Sequence, residues 1–282
     1  PGINGAELAY TLWSTKIRYL GVGAMLVGGI WALVSIRGSV LSGIRSGLRQ
    51  YRKSTATEIA HTAQDVPMQY VLMGVMILVL PMFALYQYIV DDLSVGLALT
   101  IIMLVAGFLF SAVGGYMAGL VGSSNNPVSG ITIATILGTS LLLLWLTGAT
   151  GEAAAAAIML GAVVCCAAAI AGDNMQDLKA GYLLGATPWK QQLMQGVGVI
   201  SAVLVMAPVL NLLLTAYGIG PATEAHPNSL AAPQATLMAS VAQGVLGGEL
   251  PWRLFGIGAG IGLAVIGLDE LLRRRGSGFR MP

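Results

Sequence analysis

Residues 93–121 read LSVGLALTIIMLVAGFLFSAVGGYMAGLV, residues 122–130 read GSSNNPVSG, and residues 131–148 read ITIATILGTSLLLLWLTG. No charged residue interrupts the whole run. A helix needs about 20 apolar residues to cross the hydrocarbon core, and the left flank alone has 29. Two asparagines, three serines and a proline therefore sit where a second crossing should begin. Asn126-Pro127 has the composition of a helix start, with Asn at the N-cap, Pro at the first helical position and Ser129 at N3. The excess length of the left flank predicts that this start dips below the membrane surface. A broken helix at depth is tolerated only where it lines a cavity or is buried in protein. Its free amides and positive dipole end would suit an anionic solute. Asn125, Asn126, Pro127 and Ser129 are thus the candidate substrate-binding residues; the competing reading is a well-capped turn at the cytoplasmic surface.

The rest of the chain repeats the same physics. Of 282 residues 56% are hydrophobic and 9% charged, with a mean hydropathy of +0.80; soluble domains carry about 25% charged residues. A spanning segment must satisfy its own backbone, and continuous apolar runs exclude the alternation of a barrel strand. The fold class is all-α: a polytopic transmembrane helical bundle of about seven spans, near 17–36, 69–90, 93–121, 131–147, 153–171, 193–217 and 252–271. Pro81 predicts a kink in the second. Residues 235–247 read as a short re-entrant or surface helix inside a 218–251 non-cytoplasmic loop. The chain begins at Pro1 without a signal-peptide pattern, which suggests one transmembrane domain, 1–282, cut from a longer polypeptide.

Lys and Arg set the orientation. They collect in a 37–68 basic loop (Arg37, Arg45, Arg49, Arg52, Lys53), in a 172–192 loop (Lys179, Lys190) and in the tail (Arg273, Arg274, Arg275, Arg280), all on the side expected to be cytoplasmic. Lys16, Arg18 and Arg253 depart from the pattern. Leu41, Ile44, Leu48 and Tyr51 recur at helical spacing beside these arginines, as in an interfacial helix. Gly115/Gly119, Gly256/Gly260 and Gly258/Gly262 allow close helix approach, within one bundle in the favoured reading and at a homodimer face in the other.

Two further clusters carry titratable groups. In AGDNMQDLKAGYLLGATPWKQQ, residues 171–192, Asp173 and Asp177 are four apart and Lys179 follows. Desolvated carboxylates can bind a coupling proton; a solvated loop pairing with Lys179 is the alternative. In TEIAHTAQD, Glu58, His61 and Asp65 would share a helical face, as a proton relay or metal ligands. Proton-coupling candidates are therefore Asp173, Asp177, Lys179, Glu58 and His61. Glu152 suits the dipole at the start of the fifth span. Cys165 and Cys166 are adjacent and read as packing residues. The sequence has no P-loop, H-E-x-x-H or G-x-S-x-G pattern. No cofactor, bound metal or nucleic-acid partner is expected.

GYMAGLVGSSNNPVSGITI and AGDNMQDLKAGYLLGATPWKQQ together resemble the oligopeptide transporter (OPT) family, in particular its yellow-stripe-like and prokaryotic branch, over about residues 50–215. The resemblance implies a secondary, proton-coupled importer of peptides or metal–chelate complexes in a prokaryotic inner membrane. It implies about sixteen helices, of which this chain is the C-terminal half. Asn125, Asn126, Pro127 and Ser129 are its motif positions, followed by Asp173, Asn174, Asp177 and Lys179. Lipid, protons and a small peptide or metal chelate are the implied partners, and no enzymatic activity is expected. Two other classes compete: a membrane-embedded enzyme using Glu58, His61 and Asp65, and a non-catalytic membrane scaffold.

Overall fold

Two consecutive aspartates make one of the tightest connections in the molecule. Asp91 adopts the left-handed conformation (φ 51°) and closes helix α3, Met68–Val90. Asp92 opens α4, Leu93–Val121: its carboxylate accepts from the amides of Ser94 at 2.8 Å and Val95 at 3.1 Å, which satisfies two donors that a helix start otherwise leaves free. The computed structural model of the chain describes residues 5–52, 60–248 and 250–276. The other elements are α1 (Gly5–Leu12), a π turn at Trp13–Ile17, α2 (Arg18–Arg52), α5 (Val128–Leu146), α6 (Gly151–Leu184), α7 (Pro188–Tyr217), α8 (Pro233–Leu246) and α9 (Trp252–Arg274). Short 3-10 turns occupy His61–Ala63 and Ser123–Asn125. Seven helical stretches among the described residues are long and apolar enough to cross a membrane, which makes this an all-α multi-pass membrane bundle.

Several boundaries differ from the sequence reading. The basic segment expected as a loop from 37 continues α2 without a break to Arg52, so the expected interfacial helix is the far end of α2 itself. The side chains of Ile44, Leu48, Arg49, Tyr51 and Arg52, together with Lys53 and Glu58, lie outside the described residues. The expected 172–192 loop shrinks to a turn at 185–187, because α6 continues through its polar residues to Leu184. There Gly185 (φ 77°) and Ala186 donate back to Tyr182 and Gly181, a Schellman ending. Hydropathy alone ends a span where polarity begins; a helix ends where its backbone finds a cap. Pro81 sits inside an unbroken α3. Thr150 caps α6 by accepting from the Ala153 amide at 3.2 Å, with Glu152 in the first turn.

The core lies around α5, the most buried span, which packs on α2, α6 and α8. Its buried side chains include Ile131, Ile133, Ile136, Leu137 and Leu143. Gly114 of α4 lies on Ala168 of α6, and Ala118 lies on Gly172, so α4 and α6 run parallel in close contact. Gly258 and Gly262 seat α9 on Leu20 and Ala24 of α2. Of the three glycine pairs read from the sequence, Gly258/Gly262 thus packs within the bundle and Gly115 meets Met175 of α6, while Gly119, Gly256 and Gly260 face open space. Tyr86 is the one buried residue of α3 and α7 has none, so both helices are peripheral. The segment read as a short re-entrant or surface helix is α8, 14 residues whose Leu237, Val241, Ala242, Val245 and Leu246 are buried against α5 and α6. At 1.5 Å per residue it is about 21 Å long, short of the ~30 Å hydrocarbon core.

Candidate functional site

The helix break after α4 has a definite construction. Gly122 ends α4 with φ 89°, a conformation open to glycine at little cost. Ser123–Asn125 make one 3-10 turn, and α5 starts at Val128 with Pro127 as its N-cap. No side chain caps α5. The expected cap, Asn126, is instead turned toward α6: its Nδ2 donates to the Ala168 carbonyl at 3.1 Å. The reason is room. A methyl group on Gly172 would stand 2.9 Å from that nitrogen, and one on Gly114 would stand 3.2 Å from it. Two glycines on neighbouring helices thus make a slot that the Asn126 amide fills.

Because the Ala168 carbonyl can only accept, it fixes which end of the amide faces it. Asn126 Oδ1 is left buried without a hydrogen-bond partner, as is Oδ1 of Asn174 one turn and a half further along α6. An unmet buried acceptor costs about 1–3 kcal/mol. Next to it, the Ser123 hydroxyl donates to Gln176 Oε1 at 2.9 Å. Asn125 is exposed and donates to the Val121 carbonyl at 3.3 Å. Ser129 is exposed and falls at the second helical position instead of N3. On the other side Gly130 is buried against α2, where a methyl would meet the Met25 carbonyl at 2.7 Å.

The structure brings the Asn126 segment and the polar stretch of α6 together, yet it does not gather the charges. Asp173 and Asp177 are both exposed, one helical turn apart on α6. Asp177 Oδ2 accepts from Gln195 Nε2 at 2.8 Å, and its backbone carbonyl accepts from Gln191 Nε2 at 3.0 Å, so it serves the α6–α7 junction. Lys179 lies over the Tyr182 ring at 5.3 Å and makes no salt bridge to Asp177. The expected Glu58–His61–Asp65 helical face is not formed: His61 is in a 3-10 turn, Asp65 follows it in irregular chain, and Glu58 lies outside the described residues. The physical reason is that the segment is tied to α7, through Trp189 N–H to the Gln64 carbonyl at 3.0 Å and Val66 N–H to Gln192 Oε1 at 3.3 Å. No group of metal-ligating residues occurs among the described residues. Sequence reasoning missed Gly114, Gly172, Gln176, Gln191 and Gln195. The available signal was a small residue or amide at helical spacing opposite a polar break.

A multi-pass helical membrane protein whose packed central helix starts from an uncapped polar turn is the class that this fold and site define. The chain matches the family described as OPT oligopeptide transporter protein over residues 5–281, and it belongs to that family. It is 34% identical over 291 residues to a protein of Haemophilus influenzae described as "Putative oligopeptide transporter". That match covers 95% of this chain and 46% of the relative, so the chain spans about half the relative's length. No solved structure matches it.

Proposed function

We propose that this chain is part of a secondary transporter for small peptides, working by alternating access around the break between α4 and α5. The observation that carries the reading is depth. Gly130, at the start of α5, crosses α2 at Gly29, whereas Arg37 of α2 and Arg273 of α9 line a common groove and mark the basic end of the bundle. The eight residues from Gly29 to Arg37 correspond to about 12 Å of helix. An uncapped helix start at that depth is suited to a solute, because lipid could not satisfy its amides. The unpartnered Oδ1 of Asn126 adds an acceptor for a peptide N–H, and the likeness to a family and a relative described as oligopeptide transporters favours a peptide over a metal chelate.

In this reading Asn125, Asn126, Pro127 and Ser129 form one wall of the solute path. The coupling proton rides on Asp173 or Asp177, and Asp173 is the stronger candidate. It follows Gly172, which abuts Asn126, and it lacks the glutamine partner that occupies Asp177. An enzyme built on Glu58, His61 and Asp65 has less support, since its helical face does not form. The test is uptake of tri-alanine into proteoliposomes by the protein and by Asn126→Leu. Leucine keeps the bulk and removes both the donor and the acceptor of the amide, so insertion and folding should persist while uptake falls at least tenfold. Full uptake by the variant refutes the site. Protection of a cysteine at Ser124 by tri-alanine, in a Cys165→Ala/Cys166→Ala background, is the expected companion result.

A further inference from the structure

At the end of the bundle opposite Arg273–Arg275 lies a second cavity, of about 640 Å³, between the π turn, the start of α2 and the first turns of α8. Ligand pockets run to ~300–1,000 Å³, so this one would hold a compound of a few residues. Among the described residues its one charged lining side chain is Arg18; the rest of their polar lining is hydroxyl, from Tyr10, Ser14, Tyr19, Thr236 and Ser240 among others. Arg18 is also one of three cations that depart from the basic-side pattern, so topology does not explain it.

Two observations show that this guanidinium is held in place. It lies over the Trp13 ring at 5.1 Å, and Nη2 donates to the Pro233 carbonyl at the start of α8. The backbone beside it is irregular: the Arg18 amide reaches back to the Trp13 carbonyl, closing the π turn Trp13–Ile17. Such turns are rare and concentrate at functional sites. A guanidinium has five N–H donors in a planar fork, and Pro233 occupies one. Among the described residues, no carboxylate lines the cavity to neutralise the others.

The hydroxyls are arranged for the opposite polarity. Ser14 donates to the Thr11 carbonyl at 3.2 Å, Thr236 to Ala232 at 2.8 Å and Ser240 to Thr236 at 2.7 Å. Their lone pairs remain open to N–H groups of a ligand. One fixed fork of donors beside a row of acceptors matches a carboxylate followed by amide N–H groups.

From this we infer that the Arg18 cavity binds the free carboxylate end of a peptide, as a recognition site separate from the Asn126 break. The inference rests on the peptide reading of the function and adds the chemical group that is read. Arg–carboxylate pairing is bidentate and charge-assisted, so an amide in place of the carboxylate should bind much more weakly.

The experiment titrates the purified protein in lipid nanodiscs with tri-alanine and with tri-alanine amide. It repeats the comparison with propionate and propionamide, and measures tri-alanine uptake into proteoliposomes in parallel. The acid forms should bind at least tenfold more tightly than the amides. Arg18→Gln should bring acid binding down to the amide level and leave amide binding unchanged; Arg18→Lys should fall between. Equal binding of acid and amide by the unmodified protein overturns the inference, and that comparison needs no variant. Equal loss of both probes in Arg18→Gln also overturns it, as does the absence of binding by any probe. Uptake without acid–amide discrimination removes this site and leaves the transport reading standing. Discrimination that depends on Arg18, without uptake, upholds the site and removes the transport reading.

Discussion

Replacing Gly130 by alanine isolates the contact that sets the depth of α5. The added methyl carbon would lie 2.7 Å from the Met25 carbonyl oxygen and 3.6 Å from Gly29 Cα. The first contact is too short for carbon and oxygen, and it involves backbone, so no rotamer change relieves it. The start of α5 must instead move away from α2 by a few tenths of an ångström or more. Overpacking of this kind costs about 1–3 kcal/mol, while glycine to alanine gains up to about 1 kcal/mol of helix propensity. Gly138, on the same helix, supplies the control, because a methyl there meets nothing within 4 Å. Subtracting Gly138→Ala from Gly130→Ala roughly cancels the propensity term, and the difference should be about 1–3 kcal/mol. Gly29→Ala places its methyl 2.9 Å from the Gly130 carbonyl across the same crossing. Either substitution alone separates the pair, so the double variant should cost less than the sum. The assay is the unfolding midpoint of the purified protein in detergent for all four variants. Equal stability of Gly130→Ala and Gly138→Ala would refute the reasoning, since it would mean that α5 does not rest on α2 at this point.

Two further outcomes are expected. Asp173→Asn should flatten the pH dependence of tri-alanine uptake, while Asp177→Asn should leave the pH profile and loosen the α6–α7 junction; an unchanged profile in Asp173→Asn, read by initial rates in proteoliposomes from pH 5 to 8, excludes that carboxylate. At the start of α4, the Ser94 hydroxyl first, then the Val95 and Ser94 amides, hold the Asp92 carboxyl below the usual aspartate range. A carboxyl lowered by folding adds stability that is fully present above its unfolded pKa and is lost as pH falls through its lowered value. Asp92→Asn should therefore lose stability at neutral pH and remove part of the acid-side decline, as followed by melting temperature against pH; an identical decline in both proteins would show that the cap does not titrate.

The fold was legible because lipid allows so few solutions. Once a run such as 93–121 carries no charge, a helix is the remaining choice, and that span runs from Leu93 to Val121 as its composition indicates. Legibility failed where polarity and helix end do not coincide. Residues 172–184 are polar enough to read as a loop, yet Gly181 and Gly185 supply the ending and α6 runs on to it. The candidate site was half legible. Asn126-Pro127 marks a break in any reading, but local rules assign the Asn126 side chain to its own helix start. Its actual partner, Ala168, lies 42 residues away, and the slot is made by two glycines that carry no chemistry of their own. A residue's immediate neighbours in sequence cannot reveal such a contact. The reverse holds for His61 and Asp65, whose helical spacing looked informative until α7 tied the segment down.

The way Asn126 is held bears on how the break could move. One hydrogen bond to Ala168 ties it to α6, and a bond of that kind contributes about 0.5–1.5 kcal/mol net. Its Oδ1 is buried and unmet, which already costs about 1–3 kcal/mol. The two contributions leave the resting arrangement near balance or slightly disfavoured at this residue, and a solute that donates an N–H to Oδ1 recovers the larger quantity. The neighbouring contacts run the other way: α4 on α6 and α5 on α2 close through glycines against backbone, with no slack for either pair to slide closer. In the transport reading, the rigid parts are then the helix pairs and the yielding part is the short turn from Gly122 to Pro127. A solute that engages Asn126 without donating a hydrogen bond gains nothing from this arrangement, which is a physical basis for preferring amide-bearing cargo.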